Sequence, residues 1–195
     1  MSPRLKIVLA SSSPRRRRLL EQIGVPFEVI DPGDVESASG RPEEQVIENA
    51  VAKARRVAER LGEGLVVGAD TVVVIGGRVL GKPGDASEAE EMLRALSGSV
   101  HRVLTGIAVV DAASGRTEAD VVATAVRMRP LSEDEIAAYV ATGEPLGKAG
   151  GYAIQGVGAL LVEEIRGCFY NVVGLPLSRL DALLMRFGAG ILGDP

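Results

Sequence analysis

The chain has 195 residues, 46% of them hydrophobic and 25% charged, with a formal net charge of -4 and no tryptophan. Such a composition belongs to a soluble globular protein whose core rests on Val, Leu, Ile and Ala. It argues against a general nucleic-acid binder, which carries a basic domain, and no apolar run approaches the roughly 20 residues needed to span a bilayer.

In chain order, Lys6 to Ala10 reads as a short buried strand and Pro14 to Ile23 as a helix stopped by Gly24. Phe27 to Ile30 is a strand, and Asp31 to Arg41 a polar loop. Pro42 to Leu61 is a helix with an apolar stripe of Val46, Ile47, Ala50, Ala54, Val57, Ala58 and Leu61. Leu65 to Ile75 is a strand that turns at Gly76-Gly77 and returns through Arg78 to Lys82. Ala86 to Leu96 is a helix, and Val100 to Asp111 and Thr117 to Arg129 are strands joined through Ala113 to Arg116. Ser132 to Thr142 is a helix whose Ser132 and Glu135 form a capping box. A glycine-rich stretch from Gly143 to Gly158 leads to a strand over Ala159 to Ile165 and a closing helix over Pro176 to Phe187. Helices mixed with hairpins imply an α/β fold on a mixed sheet.

The charge is unevenly spread. Arg4, Lys6 and Arg15 to Arg18 all precede the first acid, Glu21. A local basic site in an acidic protein suits a small anionic ligand. The first strand delivers Ser11, Ser12 and Ser13 into the first helix, with Ser13 at the N-cap and Pro14 at the first helical position. Free N–H groups and the positive dipole end face that loop. Four arginines in the first turn oppose the macrodipole at ~0.3–1 kcal/mol each, a cost that a bound phosphate reverses. Arg16 shares a stripe with Leu19, Leu20 and Ile23, whereas Arg17 points away from it. The alternative, a solvated charge run, leaves an arginine on the apolar face unexplained.

Asp70 interrupts the apolar run Leu65 to Ile75. A buried carboxylate is costly unless it is paired or metal-bound. The Gly76-Gly77 turn pairs Ile75 with Arg78 and, counting back, Thr71 with Lys82. Acid, hydroxyl and ammonium then gather at one end of the hairpin, as a general base beside a phosphate-binding lysine or as a structural ion pair. Lys53, at the edge of its helix's apolar stripe, either reaches a cleft or snorkels. Asp34 and Glu36, on a polar loop, could bind Mg²⁺ or remain solvated. His101 is the only histidine, which gives little support to a histidine metal site or a Ser-His-Asp triad. The single cysteine, Cys168, excludes an internal disulfide and points to a reducing cytoplasm. Ile7 to Ala10 is too short for the core of a signal peptide. Gln155, in Ala149-Gly-Gly-Tyr-Ala-Ile-Gln155-Gly, carries an amide able to read a base edge.

Taken in order, several segments resemble the Maf family of nucleotide pyrophosphatases. They are Leu9-Ala-Ser-Ser-Ser-Pro-Arg-Arg16, Glu48-Asn-Ala-Val-Ala-Lys-Ala54, Gly68-Ala-Asp-Thr71, Gly81-Lys-Pro83, Leu96-Ser-Gly-Ser-Val-His101, Thr105-Gly106, Lys148-Ala-Gly-Gly-Tyr-Ala-Ile-Gln-Gly156 and Val173-Gly-Leu-Pro-Leu177. The resemblance covers nearly the whole chain. It implies one Maf-like domain over residues 1–195, an elongated α/β fold with two lobes around a central cleft, similar to inosine triphosphate pyrophosphatases. It implies hydrolysis of a nucleoside triphosphate to the monophosphate and pyrophosphate with a divalent cation, Mg²⁺ or Mn²⁺. Asp70 matches the proton acceptor that activates water, and Ser13, Arg15, Arg16, Lys53 and Lys82 match phosphate-holding residues. Arg15, Thr71 and Gln155 mark the subgroup that prefers dTTP and UTP over 7-methyl-GTP. Glu36 matches a family acid within a loop of different length and sequence, and is the metal candidate. Arg17 and Arg18 lie outside the pattern.

The partner expected is the triphosphate substrate, with no stable nucleic acid and no membrane, in the cytoplasm; a homodimer is left open. Two other readings stand beside this one. The family's link with inhibition of septum formation suits a non-catalytic nucleotide sensor or interaction protein. Nucleic-acid binding through Arg15 to Arg18 would give strongly salt-dependent affinity, against the acidic net charge.

Overall fold

The structure is a computed structural model that describes residues 6–192; Arg4 lies outside them. Seven strands form one mixed sheet in the order β2-β1-β3-β5-β6-β7, with β4 paired to β3. The strands are β1 (Ile7–Ala10), β2 (Phe27–Ile30), β3 (Leu65–Ile75), β4 (Arg78–Leu80), β5 (Val100–Asp111), β6 (Thr117–Met128) and β7 (Val162–Arg166). The helices are α1 (Pro14–Gln22), α2 (Pro42–Ala58), α3 (Ala86–Leu96), α4 (Glu133–Ala141), α5 (Phe169–Val173) and α6 (Leu177–Met185). This is the mixed α/β architecture that the alternation of periods implies.

The chain divides into two compact units. Among the described residues, the first comprises residues 6–70, 105–122 and 174–192. Its central strand β1 runs parallel to both β2 and β3, pairing Ile7 with Phe27 and with Leu65. All four residues of β1 are buried, which explains its unbroken apolar sequence. Helix α2 covers this part of the sheet with small residues: Ala50, Ala54, Val57 and Ala58 pack on Val8, Ala10, Val66, Ala108 and Val110. Two glycines let the helix come close. A Cβ on Gly68 would stand 2.1 Å from the Ala50 carbonyl oxygen, and one on Gly106 2.0 Å from that of Val46.

The second unit comprises residues 71–104 and 123–173. Its core joins Val73 and Leu80 of the β3-β4 hairpin to Leu93 and Leu96 of α3, Val126 and Met128 of β6, and Ile136 and Tyr139 of α4. The hairpin turns at Gly76-Gly77, both at positive φ, and pairs Ile75 with Arg78 as the turn chemistry requires. Helix α4 carries the expected capping box: Ser132 Oγ accepts from Glu135 N–H, and the Glu135 carboxylate accepts from Ser132 N–H.

Three local expectations are corrected, and one helix is added. Helix α2 ends at Ala58, not Leu61. Strand β4 ends at Leu80, so the ladder stops short of Thr71 and Lys82; beyond it the Gly81 carbonyl accepts from Gly150 N–H. The strand expected over Ala159 to Ile165 begins only at Val162, because Gly156–Leu161 forms a 3₁₀ turn. Helix α5 is an additional element.

Candidate active site

Helix α1 begins as its sequence requires. Ser13 is the N-cap with extended backbone, and Pro14 occupies the first turn. No side-chain hydrogen bond caps the helix, and no acid lies in its first turn. The preceding serine is drawn inward instead: Ser11 is buried, and its Oγ accepts from Ser13 N–H at 3.2 Å and from Arg16 Nη1 at 3.4 Å. Arg16 turns toward the protein, and its Nε donates to the Gly174 carbonyl at 2.8 Å. Desolvation pulls the Arg16 guanidinium down to about 10; Asp70 acts against that, Arg15 adds to it, and Glu36 again opposes it. Arg16 therefore stays charged at neutral pH. Arg15 is half-buried, whereas Arg17 and Arg18 are exposed, and Arg17 pairs with Glu21 at 2.8 Å. The helical stripe thus separates Arg16 from the surface arginines as expected.

Asp70 is 7% exposed on β3. Its Oδ1 lies 2.8 Å from Lys53 Nζ, and its Oδ2 accepts from Asn49 Nδ2 at 2.9 Å. Lys53 is 5% exposed, so it does not snorkel. Its ammonium also reaches Glu36 Oε1 at 2.6 Å and the Ala69 carbonyl at 3.3 Å. Burial pushes the Asp70 carboxyl up, but the Lys53 charge and hydrogen bond, the Asn49 hydrogen bond and the Arg16 charge outweigh it. The carboxyl is held below its ordinary 3.8 and remains an anion.

Asn49 is the residue that the sequence reading passed over. It is 2% exposed, and besides holding Asp70 it binds the loop that carries Glu36. Its Nδ2 donates to the Ser37 carbonyl at 3.0 Å, and its Oδ1 accepts from Ser37 N–H at 2.8 Å. A signal was present: Asn49 and Lys53 stand four apart, one helical turn, between Val46, Ala50 and Val57. Two polar side chains together in an apolar stripe require partners, and here the partners are Asp70 and the 31–41 loop.

Arg16, Glu36, Lys53 and Asp70 thus come together in the first unit, with Ser13 and Arg15 at the start of α1. Asp34 is exposed. Thr71, half-buried, and Lys82 and Gln155, both exposed, belong to the second unit. Among the described residues no group of three or more His, Cys, Asp or Glu forms a metal-binding set. The donor chemistry still fits Mg²⁺ or Mn²⁺. Glu36 and Asp70 meet on one ammonium, and such an ion needs only one or two carboxylates where water and substrate phosphates complete its shell.

Cys168 is a half-buried free thiol whose backbone bonds Thr124 in both directions, a structural setting. No helix among the described residues is long and apolar enough to cross a membrane.

Comparison with known proteins supplies relatives and a family. The dTTP/UTP pyrophosphatase of Pelotomaculum thermopropionicum is 52% identical over 189 residues, covering 96% of this chain and 99% of its own. The dTTP/UTP pyrophosphatase of Moorella thermoacetica is 52% identical over 191 residues, covering 96% and 98%. That of Dictyoglomus thermophilum is 48% identical over 190 residues, also covering 96% and 98%. Among solved structures, the Staphylococcus aureus Ham1 protein aligns over 78% of this chain and 77% of its own, at 19% identity and a TM-score of 0.45, a likeness too distant to carry an argument. The family described as Maf-like protein matches residues 6–187. With that span and half its residues shared with the relatives above, the chain belongs to the Maf family.

Proposed function

We propose that the chain is a nucleoside triphosphate pyrophosphatase acting on dTTP and UTP, with Asp70 as general base. The observation that carries the reading is the buried Asp70 carboxylate, fixed at both oxygens by Lys53 and Asn49 beside the inward-turned Arg16. The three relatives named as dTTP/UTP pyrophosphatases support the substrate class.

Each Asp70 oxygen keeps a lone pair beyond the one its partner uses. Asp70 accepts a proton from water while the water oxygen bonds phosphorus across the α–β anhydride. That anhydride bond breaks, and its electron pair leaves on the departing group, giving monophosphate and pyrophosphate. Ser13, Arg15, Arg16 and Lys53 hold the phosphates, and charge developing on the leaving group is met by Lys53 and the start of α1. Lys82 has the phosphate role, and Thr71 and Gln155 the base-selecting role, that the family resemblance gives them. A divalent cation held by Glu36 would neutralise triphosphate charge.

A carboxyl held below 3.8 is charged but weakly basic. The substrate corrects this. A triphosphate engaging Lys53 and Arg16 takes up the positive charge that holds Asp70 down, and its own negative charge pushes the Asp70 carboxyl up. The base strengthens when there is a phosphate to act on.

The test is pyrophosphate release from a panel of triphosphates with Mg²⁺ or Mn²⁺. The wild type is expected to turn over dTTP and UTP fastest. Asp70→Asn is expected to keep the fold and lose ~10²–10⁴-fold in kcat. Near wild-type turnover in that variant removes the general-base assignment. Tight nucleotide binding without release would favour the sensor instead.

A further inference from the structure

The second unit contains a hydrogen-bonded device that the chemistry above does not use. Tyr139, buried on α4, donates its hydroxyl to Glu144 Oε1 at 2.9 Å. The same hydroxyl accepts from Ala153 N–H at 3.1 Å. Glu144 Oε1 also accepts from Gly158 N–H at 2.9 Å, and its Oε2 accepts from Val157 N–H at 3.1 Å. Ala153 lies two residues before Gln155, and Val157 two residues after it. One Tyr-Glu pair therefore grips the backbone on both sides of an exposed glutamine.

The surrounding sequence is shaped to admit that grip. A Cβ at Gly156 would stand 2.4 Å from Glu144 Oε2. One at Gly158 would stand 2.2 Å from the Ala153 carbonyl oxygen and 2.6 Å from the Tyr139 hydroxyl. Gly156 also has φ +70°, which disfavours any other residue. Upstream, Gly150 N–H is tied to the Gly81 carbonyl, and the buried Tyr152 hydroxyl meets His101 Nε2 at 2.7 Å. Gln155 itself has extended backbone and immediately precedes the 3₁₀ turn whose early N–H groups Glu144 occupies.

We propose that Tyr139 and Glu144 are positioning residues for base selection, holding the Gln155 segment in the one conformation from which its amide meets the base. The assignment rests on Gln155 being a base-reading residue. Reading a base edge by paired donor and acceptor demands a fixed amide, and an exposed side chain on a glycine-rich segment obtains that only from its backbone. A carboxylate taking two N–H groups and a hydroxyl is a charge-assisted clamp, stronger than neutral hydrogen bonds.

The experiment measures kcat/KM for dTTP and for dGTP in the wild type, Glu144→Gln, Tyr139→Phe, Gln155→Ala and the Glu144→Gln/Gln155→Ala double variant. The dTTP-to-dGTP ratio is expected to fall about tenfold in Glu144→Gln, in the range for coupled neighbours, and a few-fold in Tyr139→Phe. The loss should lie in KM for dTTP more than in kcat. With Gln155 already replaced, Glu144→Gln should change the ratio no further. An unchanged ratio in both single variants overturns the proposal, as do Glu144 and Gln155 effects that multiply. Amide exchange in the free protein gives a second readout: Val157 and Gly158 should exchange faster in Glu144→Gln, and unchanged exchange also overturns it. If the wild type releases no pyrophosphate from any triphosphate, the enzyme reading fails alone. The same ratio, taken from dissociation constants, then decides the positioning assignment by the same outcomes.

Discussion

At the residue scale, the informative feature is one ammonium shared by two carboxylates, with an amide closing the set. Lys53 and Asn49 make Asp70 a fixed anion, and their cost in burial is offset because each buried polar atom finds a partner. A depressed carboxyl has a kinetic signature. The acid limb of kcat/KM reports the free enzyme and is expected below 3.8 for Asp70. The acid limb of kcat reports the complex and should lie higher if, as proposed, phosphate there takes up the Lys53 and Arg16 charge. Coincident limbs would mean that substrate does not relieve the hold on Asp70. Asp70 was legible in the sequence because an acid in an eleven-residue apolar strand is conspicuous. The depth of Lys53 was not, because a lysine at the margin of a stripe reads equally as a snorkelling one. Only the partners settle it, and these lie 17 residues apart in sequence at either side.

At the element scale, the site depends on how closely α2 lies on the sheet. Gly68 and Gly106 permit that approach, since any Cβ there would press on helix backbone, which has no flexible end to give way. Gly106→Ala is expected to cost about 1–3 kcal/mol and to lower Tm by several degrees. It should also reduce kcat, because the displaced helix carries Asn49 and Lys53 away from Asp70. Gly62→Ala is the control: nothing lies within 4 Å of a Cβ there, and Tm should barely move. A Gly106→Ala protein as stable and active as the Gly62→Ala one would refute the close-packing argument. Elements of this kind were readable wherever local chemistry decides them. The Ser132 cap, the Gly76-Gly77 turn and strand β5 all stand where the sequence puts them. The segment after Gln155 was misread because its apolar run, Ala159 to Val162, suits a strand by local pattern. The 3₁₀ turn there is set by Glu144, which lies 13 and 14 residues away from the amides it holds. No local pattern records such a contact.

At the scale of the whole molecule, response to acid follows from which ionisable groups are buried. Several carboxylates are held low by neighbouring arginines, among them Glu118, Glu135 and Glu164. These ion pairs have exposed members, are screened by water and contribute little. His101 is different. It is 1% exposed on β5, its Nε2 meets the Tyr152 hydroxyl, and its Nδ1 has no hydrogen-bond partner. Burial pulls its pKa from 6.5 down to about 4. The folded protein therefore keeps His101 neutral in a range where the unfolded chain takes up a proton. Stability is fully retained above 6.5 and falls as pH drops from 6.5 toward 4, by on the order of 3 kcal/mol in all. Asp70 acts later and in the same direction, since a depressed carboxyl gives up its contribution only as pH falls through its folded value, below 3.8. Urea unfolding at about pH 7, 5.5 and 4.5 separates the two groups. The wild type should lose stability progressively across that series. His101→Gln keeps a polar partner for Tyr152 but cannot titrate, so it should lose much less, even if it starts from a lower value at neutral pH. Parallel losses in the two proteins would mean that His101 takes up its proton equally in the folded and unfolded states, and that the acid response arises from other groups.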